Sequence, residues 1–391
     1  MRWGQVSLSP QAERRSDWVS ASPERRRFLR LNGTEMNDQT PINDTRKAEL
    51  LSRQVEHIDI KSFDARPIID AMDKMSFTSR DLARATGIYN QMLADKDCSI
   101  FLVVAGSTSA AGCMDLYAEL LRSNMIDGIV ATGATIVDMD FFEGLGHKHY
   151  QALEIPDDNT LRSLYIDRIY DTYIDEEQLQ DCDFTINKIA NELEPRAYSS
   201  RAFIREMGRY LAEHGKKENS LVKLAYKHDV PIFCPAFTDS SAGFGLVKHQ
   251  VDRMKEGKPY LTIDSIADFR ELTDIKIKAG STGLLMIGGG VPKNFIQDTV
   301  VCAEILGHED VEVHKYAVQI TVADVRDGAC SSSTLKEAAS WGKVSTALEQ
   351  MVFAEAGSVM PLLASDAYHR GLWRDRPVRR WAKLFEQEAG A

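Results

Sequence analysis

The sequence predicts an α/β protein built on a doubly wound, mostly parallel sheet. Three observations carry that prediction. Short apolar runs end at glycine, stretches of helical spacing separate them, and polar or glycine-rich clusters follow several of the runs. A strand buried on both faces reads as a continuous apolar run. Strands that alternate with helices pair in parallel, because each crossover has room for a helix. The layout is Rossmann-like.

The elements follow in order. Residues 99–106 (SIFLVVAG) form the first buried strand, and AAGCMDLYAELLRSNM continues with helical spacing. IDGIVATGA is a second strand running into a glycine turn, and the acidic YIDEEQLQDCDF is expected to be a solvated helical face. Further strands are expected at residues 230–236 (VPIFCPA), 283–290 (GLLMIGGG), 316–322 (YAVQITV) and 350–354. GSVMPLLASDAYH reads as a closing helix. No internal repeat or low-complexity linker interrupts the series.

The expected organisation is one domain over residues 51–370, with a C-terminal tail at 371–391. Residues 1–50 are expected to be a disordered or mis-assigned extension. The arginine-rich SPERRRFLRL has no signal-peptide core, acidic residues argue against a transit peptide, and Met36 is the expected start. The 391 residues are 43% hydrophobic and 27% charged, as in an ordinary soluble protein. No window nears the roughly 18 apolar residues that span a bilayer. The net charge of −11 disfavours nucleic acid and suits a cationic partner. Six scattered cysteines without a CxxC pair are neither a disulfide framework nor a zinc signature, and fit a reducing cytoplasm.

Ligands of such sheets bind beyond the carboxyl ends of the strands. AGSTSAAG, ATGAT, FTDSSAGFG, GGGVPKN and ADVRDGACSSS all leave apolar strands, so they are expected to crowd one rim. Glycines there admit a ligand close to backbone, and helix N-termini favour phosphate. The dinucleotide expectation rests on this layout, since no complete G-x-G-x-x-G is present. Asp239 and Asp327 either accept from ribose hydroxyls or amines, or cap helices. His147 and His149 lack further ligands, so no metal site is expected.

EAASWGKVSTALEQ holds the most informative single residue. Lys343 follows Trp-Gly among small, apolar or hydroxylic neighbours, with no further lysine until Lys383. A lysine desolvated by an aromatic wall becomes a nucleophilic amine; the alternative is an exposed lysine at a turn. One local turn could gather Glu337, Trp341 and Lys343. Glu337 then binds an ammonium or moves a proton, and Trp341 offers its face to an alkylammonium chain, unless they are a surface carboxylate and a packing residue. Cys330, beside three serines, has no identifiable base and ranks below Lys343 as a nucleophile.

The order of SIFLVVAGSTSAAG, VPIFCPAFTDSSAG, GLLMIGGGVPKN, DGACSSSTLKEAASWGK and FAEAGSVMPLL resembles the deoxyhypusine synthase family over about residues 55–370. It is most similar to the bacterial deoxyhypusine synthase-like branch, associated with polyamine metabolism and homospermidine formation. The resemblance implies an NAD-dependent transferase of aminobutyl groups. Spermidine is oxidised to an imine, a lysine amine takes the four-carbon unit, and an acceptor amine receives it before reduction. Lys343 matches the nucleophile, and Glu337 and Trp341 match residues lining the polyamine site. Gly106, Ser107, Thr132, Gly133, Asp138, Asp239, Ser241, Ala323, Asp327, Glu355 and Ala356 fall on or beside cofactor positions.

The departures concern substrate recognition. Phe244 and Cys330 stand where the family has aspartates, Asn294 replaces a histidine and Asp298 an asparagine. Asp138 stands for a glutamate, and Gly106-Ser107 for Ser-Asn. Losing carboxylates from a cation site alters specificity. The expected substrates are small polyamines, with putrescine as an acceptor that would yield homospermidine. The alternatives are modification of a protein lysine, or an inactive NAD- or polyamine-binding protein. The resemblance also implies a homotetramer of dimers with sites between chains, and neither nucleic acid nor membrane as partner.

Overall fold

The computed structural model describes residues 40–328 and 333–386, with side chains from residue 45. Cys330 therefore lies outside the described residues. The strands are β1 (Ser99–Val104), β2 (Gly128–Ala131), β3 (His149–Gln151), β4 (Ile166–Ile169), β5 (Thr172–Asp175), β6 (Ala197–Tyr198), β7 (Ile232–Phe233), β8 (Thr262–Ile263), β9 (Thr282–Ile287), β10 (Tyr316–Thr321) and β11 (Glu349–Phe353).

Six of them form a sheet in the order β7-β2-β1-β9-β10-β11, and every pairing is parallel. The chain winds outward from β1 to β7, returns across the sheet and winds outward again from β9. That is the dinucleotide-fold order 3-2-1-4-5-6, whose switch point lies between β1 and β9. Register levels the carboxyl ends there: Val104 pairs with both Ala131 and Ile287, and Ile287 with Ile320.

Both faces of the sheet are covered. Ile100, Leu102 and Val104 enter one core with Ile129, Leu285 and Ile320, while Phe101 and Val103 enter a second with Val130, Leu284 and Met286. Alternate side chains of a strand point to opposite faces, so β1 feeds both cores and is buried throughout. The second core is closed by Ile296, Leu335, Ala338, Val344 and Phe385. This is the doubly wound architecture that the apolar runs predict.

Some features are not predicted. The antiparallel sheet β3-β5-β4 and the parallel pair β6-β8 use two to four residues per strand, too short for a clear period. The edge strand β7 is shorter than the run at 230–236, whose prolines Pro231 and Pro235 flank it. Thr40–Leu50 is helical, Leu50 is buried, and Lys47 pairs with Asp175 at 2.8 Å, so ordered structure begins before residue 51. The acidic stretch is a strand and then the helix Glu176–Glu192, which buries Cys182, Ile186, Ile189 and Ala190.

The C-terminal residues are also built in. Arg376 lies 2.5 Å from Asp127, both side chains are fully buried, and Asp127 also accepts from the Ile100 N–H at 2.7 Å. This pair ties the C-terminal segment to the amino ends of β1 and β2. Removing one partner strands a buried charge, which costs about 3–5 kcal/mol. Arg376→Ala is therefore expected to lower the unfolding free energy by that amount, read as a lower denaturant midpoint at an unchanged slope. A loss below about 1 kcal/mol, as for an exposed pair, would count against the pair as the anchor.

Candidate functional site

The predicted site residues fall into two neighbourhoods. The first is the rim at the carboxyl ends of the strands. Gly106 leaves β1 with φ +89°, and a Cβ there would meet nothing within 4 Å, so its backbone faces open space at the switch point. The Gly106 carbonyl accepts from Thr135 Oγ1 at 2.6 Å, and Thr135 Oγ1 lies 3.3 Å from Thr132 Oγ1. Ser107 accepts the Ala110 N–H through its carbonyl in the first turn after β1. Gly133 packs against Ser240, the N-cap of helix Ser241–Lys255.

Asp138 accepts from the Ser241 N–H at 2.8 Å. Burial pushes its carboxyl up to about 6 against the hydrogen bonds from Ser241. Asp183, on the helix that follows β5, is likewise pushed up to about 6 by burial, with Asp138 nearby adding to the shift. Asp183 was not singled out from the sequence, where it sits in an acidic helix with no sign that it turns inward. Asp239 and Asp327 are exposed on rim loops, and the Ala323 N–H donates to Thr321 Oγ1 at 3.1 Å. Glu355 caps helix Ala356–Arg370, accepting from the N–H groups of Gly357 and Ser358. Its carboxylate thus has a structural use independent of a ligand.

The switch point is open and Gly106 admits a ligand to the backbone, which suits a dinucleotide, while the helix N-termini at Ser241 and Ala356 already hold the Asp138 and Glu355 carboxylates.

The second neighbourhood surrounds Lys343, below the rim on the face of the smaller core. Helix Leu335–Ser340 starts with a capping box in which Thr334 and Glu337 bond each other's N–H groups. It ends because Gly342 adopts φ +68°, a left-handed conformation that glycine takes without a Cβ penalty. Lys343 then returns its N–H to the Ala338 carbonyl, and its own carbonyl accepts from the His314 N–H at 3.0 Å. The Trp-Gly-Lys sequence is thus a helix stop that aims a lysine.

The Lys343 amine lies 2.5 Å from Asp298 Oδ1 and 5.4 Å from the centre of the Trp341 ring. Its side chain is 16% exposed, against 70% for Trp341. Glu337 is one turn upstream, and its capping bond holds its carboxyl below the usual range. The expected trio is therefore gathered only in part, with Trp341 at the amine and Glu337 engaged elsewhere. Asn294 is exposed one turn before Asp298 on helix Gly290–Gln297.

Lys293 belongs to the same helix and was not singled out from the sequence. It is fully buried, donating to Gln319 Oε1 at 2.9 Å and to the Ser333 carbonyl. Burial pushes its ammonium down to about 8; Glu337 opposes the shift and Lys343 adds to it. A sequence signal existed, because position 293 shares a helical face with the buried Ile296 and Gln297. A single chain does not place Phe244 beside Lys343. Phe244 is 69% exposed on the helix that follows the edge strand β7, whereas Lys343 precedes the opposite edge strand β11. Six strands at about 4.8 Å spacing set those edges roughly 24 Å apart. Glu143 accepts from His57, His149 and Lys217, and no metal-binding cluster occurs among the described residues. No helix among them is long and apolar enough to cross a membrane.

The deoxyhypusine synthase family model matches residues 67–367. A deoxyhypusine synthase-like protein of Coxiella burnetii is 73% identical over 344 residues, covering 88% of this chain and 97% of the relative. One from Caulobacter vibrioides is 68% identical over 361 residues, covering 92% and 98%. A crystal structure described as a deoxyhypusine synthase of Entamoeba histolytica superposes with a TM-score of 0.52 at 18% identity, over 81% of this chain and 97% of that one. The chain belongs to the deoxyhypusine synthase family.

The rim acids give a pH test. A carboxyl pushed up on folding holds its proton to higher pH in the native state than in the unfolded chain. Its stabilising contribution is present below about pH 4 and is lost as pH rises through about 6. Asp138→Asn keeps an oxygen for Ser241 and removes the titration. The variant is expected to lose less melting temperature than the wild type between about pH 4 and pH 7. Equal losses in the two proteins would show that Asp138 does not titrate this way.

Proposed function

We propose that this member of the deoxyhypusine synthase family is an NAD-dependent transferase that moves an aminobutyl group between small polyamines. A spermidine-like amine is the donor and a small amine such as putrescine the acceptor, which gives homospermidine-type products in the cytoplasm. The observation that carries this reading is the Lys343 amine, enclosed and held against a carboxylate beside an indole face. An ordinary solubilising lysine needs none of that surrounding.

Gly106, Ser107, Thr132, Gly133 and Asp239 would hold a dinucleotide at the crevice between β1 and β9, where it would supply a hydride acceptor for the donor and a hydride for the final reduction. The rest falls to side chains. Lys343 attacks the imine carbon of the oxidised donor and carries the four-carbon amine as a lysine imine. The Trp341 face receives the cationic chain. The acceptor amine then displaces the lysine. The exposure of Phe244 and Trp341 supports a site completed between two copies, in an assembly of dimers. An apolar Phe244 in place of a carboxylate supports a smaller or less charged polyamine over a protein lysine.

Lys343→Arg keeps a positive charge but cannot form an imine, and Lys343→Ala removes the amine. Both variants are expected to fold and to bind NAD in calorimetry, yet to yield no transferred product by mass spectrometry. Borohydride should trap a substrate-derived adduct on wild-type Lys343 and on neither variant. Near-normal transfer by Lys343→Arg would remove the covalent route. Absence of NAD binding with and without polyamine would remove the reading altogether.

A further inference from the structure

We infer that Asp298 is a catalytic proton carrier for Lys343, rather than only a lining residue of the amine site. The inference rests on the aminobutyl-transfer reading and adds to it the group that makes the lysine reactive. An ammonium has no lone pair, so a nucleophilic lysine needs a base within reach. Asp298 Oδ1 is 2.5 Å from the Lys343 amine. Glu337, the carboxylate nearest in sequence, is held by the Thr334 N–H at 2.6 Å.

Both partners are fixed through their backbones. Asp298 is the junction of two helices, Gly290–Gln297 and Thr299–Ile305. Its N–H donates to the Asn294 carbonyl, and its own carbonyl accepts from the Cys302 N–H, each at 2.9 Å. Lys343 is held by Ala338 and His314. Neither side chain has to search for the other, which is the preorganisation a proton transfer needs. Stability offers little competing reason for the pair, because a partly exposed ion pair contributes about 0–1 kcal/mol. The exposures suit a carrier: the Lys343 side chain is 16% exposed and that of Asp298 42%, so the acid also reaches solvent.

The step balances without another reagent once the donor imine exists. Asp298 takes a proton from the Lys343 ammonium. The freed lone pair forms a C–N bond to the imine carbon, and the π electrons move onto the donor nitrogen, giving a diamine at that carbon. Asp298 gives that first proton to the donor nitrogen, then accepts the surplus proton from the lysine nitrogen and delivers it to the donor nitrogen as well. The bond from carbon to the donor nitrogen breaks with its electron pair on that nitrogen, and the lysine imine remains. No net oxidation or reduction occurs in this exchange.

Asp298→Asn retains size and hydrogen bonding but cannot carry the proton. Wild type and variant would be mixed with NAD and saturating spermidine. Reduced dinucleotide would be followed by absorbance, and the Lys343 adduct by borohydride quench and mass spectrometry. The expected result is adduct formation slowed about a hundred-fold, with a much smaller change in hydride removal. Formate added to Asp298→Ala should restore part of the rate. An unchanged adduct rate in Asp298→Asn would overturn the inference. So would a defect confined to the spermidine concentration needed for half-maximal rate, which marks a binding residue. A wild type that forms neither reduced dinucleotide nor adduct would instead overturn the transfer reading beneath it.

Discussion

The constraint on which the rest of this molecule depends is burial of both faces of β1. Its six residues are enclosed, and the five from Ile100 to Val104 belong alternately to two cores. Such a strand cannot carry a polar side chain on either face without stranding it, so polar groups collect where the strand ends. Level register on both sides of β1 turns separate strand ends into one continuous rim. The need to cover two faces also dictates the helices. Gly290–Gln297 and Leu335–Ser340 exist to close the smaller core with Ile296, Leu335 and Ala338. The lysine site is built on the outer ends of those same two helices.

That origin explains why the sequence reveals the two neighbourhoods unequally. The strands of the large sheet are legible because their runs are mostly apolar, with Gln319 in β10 and the start of β11 as the polar exceptions. The rim follows, since glycine and hydroxyl residues cluster after each run. Lys343 and Trp341 are legible because Gly342 and the capping box write a helix start and stop into adjacent residues. Asp298 was placed among the amine-site residues, but its partner could not be read. The two residues are far apart in sequence and meet only because two helices share a core. Lys293 is hidden similarly, as its burial depends on Gln319 from β10 and on Ser333. The pairs β3-β5-β4 and β6-β8 lack a pattern because so few residues alternate.

The lysine neighbourhood has an electrostatic arrangement of its own. Two lysines approach one another there, and burial, with Lys343 adding to it, pushes the Lys293 ammonium down to about 8. Asp298 contacts one of them and Gln319 the other. A carboxylate on Lys343 and a neutral amide on Lys293 leave the second amine less compensated than the first.

Specificity follows from where the carboxylates stand. A polyamine carries several ammonium groups, and each buried one requires a compensating oxygen or a π face. Phe244 supplies a π face but neither charge nor hydrogen bond, so an ammonium that reached it would be held less firmly than by a carboxylate. Trp341 tolerates a cation without fixing its position. Asp298 is the carboxylate in contact with the lysine, and its oxygen is occupied by that amine until the proton moves. The charge that would bind a substrate cation is thus spent on the nucleophile. On the proton transfer proposed above, Asp298 becomes a neutral acid as the lysine becomes neutral, so it offers a donor no anionic partner at that moment. That arrangement would favour a substrate whose remaining cations lie away from the reacting carbon.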